Sequence, residues 1–114
     1  MKRIYSLSTC DTCRKFLKEL NPDKEVELVD IKTQGISAKD LDLAAKNLGS
    51  YEVLFSKKAV KYRTRGLNKK VLSEKEMRAL ILEEYTFLRR PLVIMDKTIT
   101  SGATKESLAA LKKL

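Results

Sequence analysis

Apolar and polar positions change pattern along the chain, and the first 30 residues predict a β-α-β opening. The apolar-rich run at 2–7 predicts a strand. The three- and four-residue spacing of Phe16, Leu17 and Leu20 predicts an amphipathic helix over 11–20. A turn at 21–23 is followed by a second predicted strand at 25–30. The loop after the first strand should lie at the carboxyl edge of the sheet, where α/β folds place their sites.

The middle of the chain has a helical pattern. Ser37, with Asp40 three residues later, predicts the start of one helix, and Gly49 predicts its end. Ser73 and Glu76 form the sequence pattern of a capping box at the start of another helix. The apolar faces of the two helices consist of Leu41, Leu43, Ala44, Ala45 and Leu48, and of Met77, Leu80 and Ile81.

The end of the chain returns to strand patterning. The run at 92–95 predicts a buried strand, and 97–101 predicts its hairpin partner around Asp96. Thr104 predicts the start of a last helix. The apolar residues of that helix, expected to pack on the sheet, are Leu108, Ala109, Leu111 and Leu114.

Composition favours one α/β domain over the whole chain, because 114 residues with 43% hydrophobic content can bury one core but not two. No apolar run approaches the roughly 20 residues of a membrane helix, and the first residues enter a strand without a signal-peptide pattern. We therefore expect a soluble, cytoplasmic protein with no membrane partner. The formal net charge of +9 predicts a surface that attracts anions.

Candidate chemistry lies in Cys10-Asp11-Thr12-Cys13, which holds the only two cysteines of the chain. Cys10 is predicted at the N-terminus of the first helix, where backbone N–H groups, the helix dipole and the charges of Arg14 and Lys15 favour a thiolate. Its pKa should therefore lie below that of a free thiol. Cys13, one turn further on, could attack a mixed disulfide on Cys10 and release the bound partner.

Two other interpretations of the C-x-x-C spacing stay open. It could be half of a structural zinc site, but the chain has no histidine and no third cysteine to complete one. It could also be a pair of inert core cysteines, since unpaired cysteine is often buried. A working dithiol is favoured, because cytosolic thiols are normally kept reduced. This hypothesis requires no metal.

Basic residues are concentrated between Lys57 and Lys70, where no acidic residue occurs. Most of them are expected to be solvated, although one or two could reach the thiol site. Tyr62 is the only aromatic residue of the stretch and no nucleic-acid-binding motif is present, which disfavours direct binding of DNA or RNA. Arg90, just before Pro91 and a buried strand, could be held rigidly enough to bind an oxyanion bidentately.

Taken together, Cys10-Asp11-Thr12-Cys13-Arg14-Lys15, Leu88-Arg89-Arg90-Pro91-Leu92-Val93-Ile94 and Gly102 make the chain resemble the ArsC family. That family comprises glutaredoxin-coupled arsenate reductases, YffB-type thiol reductases and Spx-type redox-sensing regulators. The resemblance extends over essentially the whole chain. It implies a thioredoxin-like α/β fold with a mixed sheet, in which 1–35 and 89–114 form the core and 36–88 form a helical insertion.

The resemblance also implies roles for single residues. The position of Cys10 is that of the family's reactive thiol, Arg90 that of an oxyanion-binding arginine, and Pro91 that of a proline beside the active-site loop after a cis peptide bond. A middle anion-binding arginine of the family corresponds to Lys58, which keeps the charge but loses the planar fork. A late arginine has no counterpart at 99–102. Arg14 is a further candidate for anion binding.

These observations lead to two functional hypotheses. The first is a thiol-dependent reductase with Cys10 as nucleophile, which binds no cofactor and takes electrons from glutathione with glutaredoxin, or from thioredoxin. Weaker oxyanion geometry favours a glutathione mixed disulfide over arsenate as its substrate. The second is an Spx-like switch, in which oxidation of the dithiol changes a surface that binds the RNA polymerase α subunit.

Overall fold

The computed structural model describes all 114 residues and has four strands and six α-helices. The strands are β1 (Lys2–Ser6), β2 (Glu27–Asp30), β3 (Leu92–Met95) and β4 (Thr98–Ser101). The helices are α1 (Asp11–Leu20), α2 (Ile31–Gln34), α3 (Ala38–Leu48), α4 (Val60–Thr64), α5 (Glu74–Glu83) and α6 (Lys105–Lys112). Short 3-10 turns lie at Glu52–Leu54, Leu67–Lys69 and Tyr85–Phe87.

The strands form one mixed sheet in the order β2-β1-β3-β4. β1 pairs in parallel with β2, with Ile4 opposite Leu28, and antiparallel with β3, with Ile4 opposite Val93. β3 and β4 form a hairpin whose turn contains Asp96 in the left-handed conformation. The β-α-β opening, the mixed sheet and the closing hairpin are therefore confirmed. β2 begins two residues later than predicted, because the Val26 N–H bonds the Asp23 carbonyl in a turn at 3.1 Å.

The chain divides into two compact units, residues 1–35 with 90–114 and residues 36–89. We call the first the sheet unit and the second the helical unit. One core cluster of the sheet unit joins β1, β3, α1 and α6, and it contains Ile4, Phe16, Val26, Val93 and Leu111. Leu17, Leu20 and Leu108 pack against that cluster, so the predicted apolar face of α1 is confirmed.

Two residues predicted to pack along the last helix do not do so. Leu111 is buried and Leu108 half-buried, but Ala109 is exposed and Leu114 is 70% exposed. The reason is geometric, because α6 buries the stripe that contains Leu108 and Leu111, and residues one position away on a helix point elsewhere. Leu114 lies beyond the end of the helix at Lys112.

The helical unit is built on capped helices around its own apolar residues. The Ser37 hydroxyl accepts the Asp40 N–H at 3.1 Å at the start of α3, and Gly49 ends that helix in the left-handed conformation. Leu41 and Ala44 are buried as predicted, whereas Leu43 is 42% exposed. The Phe55 and Phe87 rings stack with their centroids 5.3 Å apart. The unit thus has a structured interior of its own.

The capping box at the start of α5 yields a prediction for stability. The Ser73 hydroxyl accepts the Glu76 N–H and the Glu76 carboxylate accepts the Ser73 N–H, both at 3.1 Å. Replacing Ser73 with alanine should lower the free energy of unfolding by about 1 kcal/mol in urea titrations, because a helix donor loses its acceptor. Lys75→Ala, an exposed change in the same turn, is the control. Equal losses in both variants would contradict the role of the cap.

Candidate active site

Cys10 lies in the sheet unit, in the loop that connects β1 to α1. It is the N-cap residue of α1, with extended backbone angles of φ −94° and ψ 116°. Its N–H bonds the Leu7 carbonyl at 3.0 Å, and its own carbonyl accepts the Arg14 N–H at 3.1 Å, which opens the helix. The predicted position of Cys10 at a helix N-terminus, after a strand, is confirmed. The Cys10 side chain is half-buried and therefore remains accessible to solvent.

The surroundings of the Cys10 thiol favour its anionic form. Burial acts to raise its pKa, but the N–H and the thiol of Cys13, the charge of Arg90 and the N–H of Thr12 together outweigh burial. The pKa of Cys10 is therefore below its ordinary value of 9.0. Cys10 is thus an accessible thiol with enhanced thiolate character.

Cys13, in contrast, is a buried thiol whose neutral form is favoured. Its side chain is only 1% exposed, and burial raises its pKa to about 11, aided by the neighbouring Cys10 sulfur. The Leu7 N–H and the charge of Arg90 act in the other direction without cancelling this effect. Cys13 therefore stays protonated at neutral pH and donates a hydrogen bond to Cys10. The structure holds two free thiols, one predisposed to ionise and one held neutral beside it.

Arg90 and Pro91 directly precede β3, which pairs with β1, the strand that leads into the cysteine loop. The positive charge of Arg90 acts on both cysteines, and its Nε atom is buried. The Arg90–Pro91 peptide bond is cis, as the resemblance implied, and Pro91 is fully buried. The Pro91 carbonyl accepts the N–H of Gly102 at 3.1 Å, and Gly102 has a φ of 91° that favours glycine. This contact joins the segment before β3 to the end of β4.

The other two candidate anion-binding residues, Arg14 and Lys58, have different surroundings. Arg14 is exposed and forms an ion pair with Asp11 one turn earlier on α1. Arg90 is the cation that acts on the Cys10 pKa, and Arg14 is not among its main causes. Lys58 is an exposed residue of the helical unit and takes part in no ion pair. Anion binding by Arg14 or Lys58 stays a prediction.

A hydrogen bond that the sequence did not indicate joins the cysteine loop to β2. The Ser8 hydroxyl donates to Asp30 Oδ2 at 2.8 Å, and Asp30 Oδ1 also accepts the Lys32 N–H at 3.1 Å, which caps α2. These bonds hold the pKa of Asp30 below 3.8, with the bond from Ser8 as the larger cause. Alternation of apolar and polar residues signals strands, but it does not indicate which polar residues meet beyond their ends.

This contact can be tested by titration. Replacing Ser8 with alanine should raise the pKa of Asp30 towards 3.8, because the carboxylate loses a donor that stabilises its charge. The measurement is the pH dependence of the Asp30 carboxyl carbon signal in NMR spectra. Thr9→Ala changes the next residue of the same loop and is the control. An unchanged pKa in Ser8→Ala would show that the hydrogen bond does not persist in solution.

Two further observations concern the chain as a whole. No group of three or more His, Cys, Asp or Glu side chains is arranged to hold a metal ion. Among the helices, none combines the length and hydropathy that a membrane crossing requires.

Comparison with known proteins agrees with this geometry. Residues 5–111 match the model of the ArsC family. A protein described as a possible arsenate reductase from Streptococcus mutans UA159 has 25% sequence identity and a TM-score of 0.76, covering 98% of both chains. A protein of Staphylococcus aureus COL solved by NMR has 28% identity and a TM-score of 0.74, covering 96% of this chain and 97% of its own. The YFFB protein shares 21% identity and a TM-score of 0.79, covering 97% and 98%. No functionally curated protein matches the chain.

The mixed sheet, with a cysteine at the N-terminus of the first helix and a cis-proline directly before β3, defines a thioredoxin-like α/β protein with two free thiols. Within that class the chain belongs to the ArsC family. Family membership, together with the likeness to arsenate reductase-like structures, supports a thiol reductase-like function.

Proposed function

We propose that the protein is a thiol-dependent reductase whose nucleophile is the Cys10 thiolate. The observation that carries this proposal is the contrast between the two cysteines, because the accessible thiol has a lowered pKa and its buried neighbour a raised one. A nucleophile must ionise and be reached, whereas a resolving thiol must stay inactive until the first bond has formed. Cys10 meets the first requirement and Cys13 the second.

With a glutathione mixed disulfide as substrate, the reaction has two thiol-exchange steps. The Cys10 thiolate attacks the glutathione sulfur, a Cys10–glutathione disulfide forms, and the substrate leaves as a thiolate that takes up a proton. Cys13 then loses its proton and attacks the Cys10 sulfur, which forms a Cys10–Cys13 disulfide and releases glutathione. Alternatively, a second glutathione attacks the glutathione sulfur of the mixed disulfide, which forms oxidised glutathione and frees the Cys10 thiolate. The resulting disulfide is reduced by two electrons from glutathione with glutaredoxin, or from thioredoxin. Such reductants are available in the cytoplasm, where we place the activity.

Arsenate can react at the same thiolate by a similar two-step mechanism. The Cys10 thiolate bonds to the arsenic and water leaves, after which a second thiol attacks the Cys10 sulfur and arsenite departs with the electron pair. Arg90 holds the negative oxygens in either case, because its charge already acts at the Cys10 sulfur. Lys58 would supply a second positive charge. A lysine in place of an arginine removes a bidentate partner, so we favour the mixed disulfide as substrate.

Turnover assays with the reduced protein test this proposal. Reduction of the mixed disulfide of glutathione and 2-mercaptoethanol is followed by NADPH consumption with glutathione and glutathione reductase, and arsenate reduction by the arsenite formed. We expect turnover of the mixed disulfide to exceed turnover of arsenate. Faster arsenate turnover would reverse the substrate assignment. No turnover of either substrate, with glutaredoxin or with thioredoxin, would refute a reductase.

The interaction between the two thiols also supports a second candidate, a redox-sensing regulator, in which oxidation would join the two sulfurs in a reversible disulfide. In that case a change of surface, not turnover, is the output. Retention of the protein on immobilised RNA polymerase α subunit, compared between the oxidised and reduced forms, distinguishes the two functions. Retention that depends on redox state would support the regulator, and absence of binding in both states would exclude it.

A further inference from the structure

The cysteine loop, residues 7–10, has an exposed middle, although it leads directly to the nucleophile. Leu7 is buried and Cys10 begins α1, whereas Ser8 and Thr9 between them are exposed. The Cys10 N–H bonds the Leu7 carbonyl at 3.0 Å and closes the loop as a turn. Exposed turns with few contacts open readily. Any side-chain contact that holds this turn closed therefore also holds the Cys10 sulfur in place.

Ser8 makes such a contact with the end of β2. Its hydroxyl donates to Asp30 Oδ2 at 2.8 Å, and its backbone N–H also acts to stabilise the Asp30 carboxylate. The hydroxyl of Thr9, in contrast, has no hydrogen-bond partner. Of the two exposed residues of the loop, Ser8 is therefore the one whose side chain connects the loop to the rest of the sheet unit.

Asp30 is a suitable acceptor because its own position is fixed. It is the last residue of β2 and pairs with Ser6, the last residue of β1. Its second oxygen, Oδ1, accepts the Lys32 N–H at 3.1 Å and caps α2. A carboxylate also accepts a stronger hydrogen bond than a neutral oxygen does. Asp30 thus provides a fixed point for the cysteine loop, although 22 positions separate it from Ser8 along the chain.

The geometry of the loop determines the surroundings of both sulfurs. The Leu7 N–H acts on the Cys13 sulfur, while the Leu7 carbonyl holds the Cys10 N–H. The Cys10 thiolate is favoured by nearby N–H groups and by the charge of Arg90, and these interactions weaken with distance. If the turn opened, the Cys10 sulfur would move relative to these groups. Interactions that keep the turn closed therefore also favour the thiolate.

We propose that Ser8 and Asp30 are positioning residues for the nucleophile, because the hydrogen bond between them keeps the cysteine loop closed and the Cys10 sulfur beside the groups that stabilise its thiolate. Both residues act through the loop and not on the substrate. The inference rests on the proposed role of Cys10 as the nucleophile.

The effect of position can be separated from the effect of charge. A carboxylate near a thiol disfavours the thiolate, so the charge of Asp30 taken alone would raise the Cys10 pKa. Ser8→Ala keeps that charge and removes only the hydroxyl. It also keeps the other charged side chains of the elements that meet here, which are Asp11, Arg14 and Lys15 on α1, Lys32 on α2 and Arg90 before β3.

Alkylation of Cys10 by iodoacetamide in the reduced, full-length protein tests the proposal. In Ser8→Ala the midpoint of the pH profile should rise by about half a pH unit, because the loop loses a hydrogen bond. One pH unit below the wild-type midpoint, Cys10 should then react about threefold more slowly. Ser8→Thr keeps the hydroxyl and should have the wild-type midpoint. Thr9→Ala removes a hydroxyl without a partner and should also leave the midpoint unchanged.

Three results would overturn the proposal. These are an unchanged midpoint in Ser8→Ala, an equal rise in Thr9→Ala, and a rise in Ser8→Thr as large as that in Ser8→Ala. Because Ser8 is exposed, its variants are expected to fold. Alkylation requires no turnover, so positioning by Ser8 can be confirmed or overturned even if the protein reduces neither substrate. Failure of the reductase assays and failure of this inference are therefore separate results.

Discussion

Replacing Cys10 with serine is expected to reduce turnover of the mixed disulfide by at least about a thousandfold, because the nucleophile of the first step is lost. A serine hydroxyl stays protonated at neutral pH, so the N–H groups at the start of α1 and the charge of Arg90 have no anion to stabilise. Turnover is measured by NADPH consumption, with the variant held fully reduced before the assay.

Cys13→Ser is the matched control for this loss. It leaves Cys10 in place, so glutathione can still resolve the mixed disulfide on Cys10 and measurable turnover should remain. An unfolding midpoint within the wild-type range would exclude loss of structure as the cause in Cys10→Ser. Turnover by Cys10→Ser at the wild-type rate would refute the proposed nucleophile. Equal loss in both variants would instead make Cys13 obligatory for resolution.

Alkylation of the two thiols by iodoacetamide at pH 7 should differ by at least about a hundredfold. With a pKa of about 11, roughly one Cys13 in ten thousand is ionised at that pH. Cys10, whose pKa is below 9.0, has more than about one thiolate in a hundred. Burial of Cys13 increases the difference further. Mass spectrometry of digested protein after short exposures measures both rates.

The pH profile of Cys10 alkylation identifies what lowers its pKa. The rate should rise with pH and reach a plateau above the Cys10 pKa, at a midpoint below 9.0. Cys13→Ala should raise that midpoint, because a hydrogen-bond donor to the thiolate is lost, whereas Cys13→Ser keeps a donor and should raise it less. Arg90→Gln should also raise it. Equal labelling of both cysteines in the wild type would support the alternative interpretation, in which they are two inert core cysteines.

The elements that the sequence predicted best are those whose apolar residues have one clear period. α1 and β3 have the predicted bounds, and the caps at Ser37 and Ser73 form where their side-chain chemistry placed them. Exposure was harder to predict, as Leu43 shows, because a helix pattern locates a stripe but does not determine how far its neighbours are covered.

The position of Cys10 and the direction of its pKa shift were predictable from the sequence, but the raised pKa of Cys13 was not. The position of Cys10 followed from the local pattern, since a strand and a helix adjoin the cysteine. The degree of burial that separates the Cys13 pKa from that of Cys10 depends on packing between distant segments. The ion pair of Arg14 with Asp11 and the bond of Ser8 to Asp30 depend on side-chain geometry that spacing alone does not specify.

Because β1 pairs with β3, the reactive groups lie close together although they are far apart in sequence. These strands run antiparallel, with Tyr5 opposite Leu92, so the residues that follow β1 and those that precede β3 emerge at the same edge of the sheet. The sulfur and the guanidinium are thereby brought together by the sheet, although the whole helical unit separates them in sequence. The distance between the reactive groups is therefore determined by strand pairing and not by the number of residues that separate them along the chain.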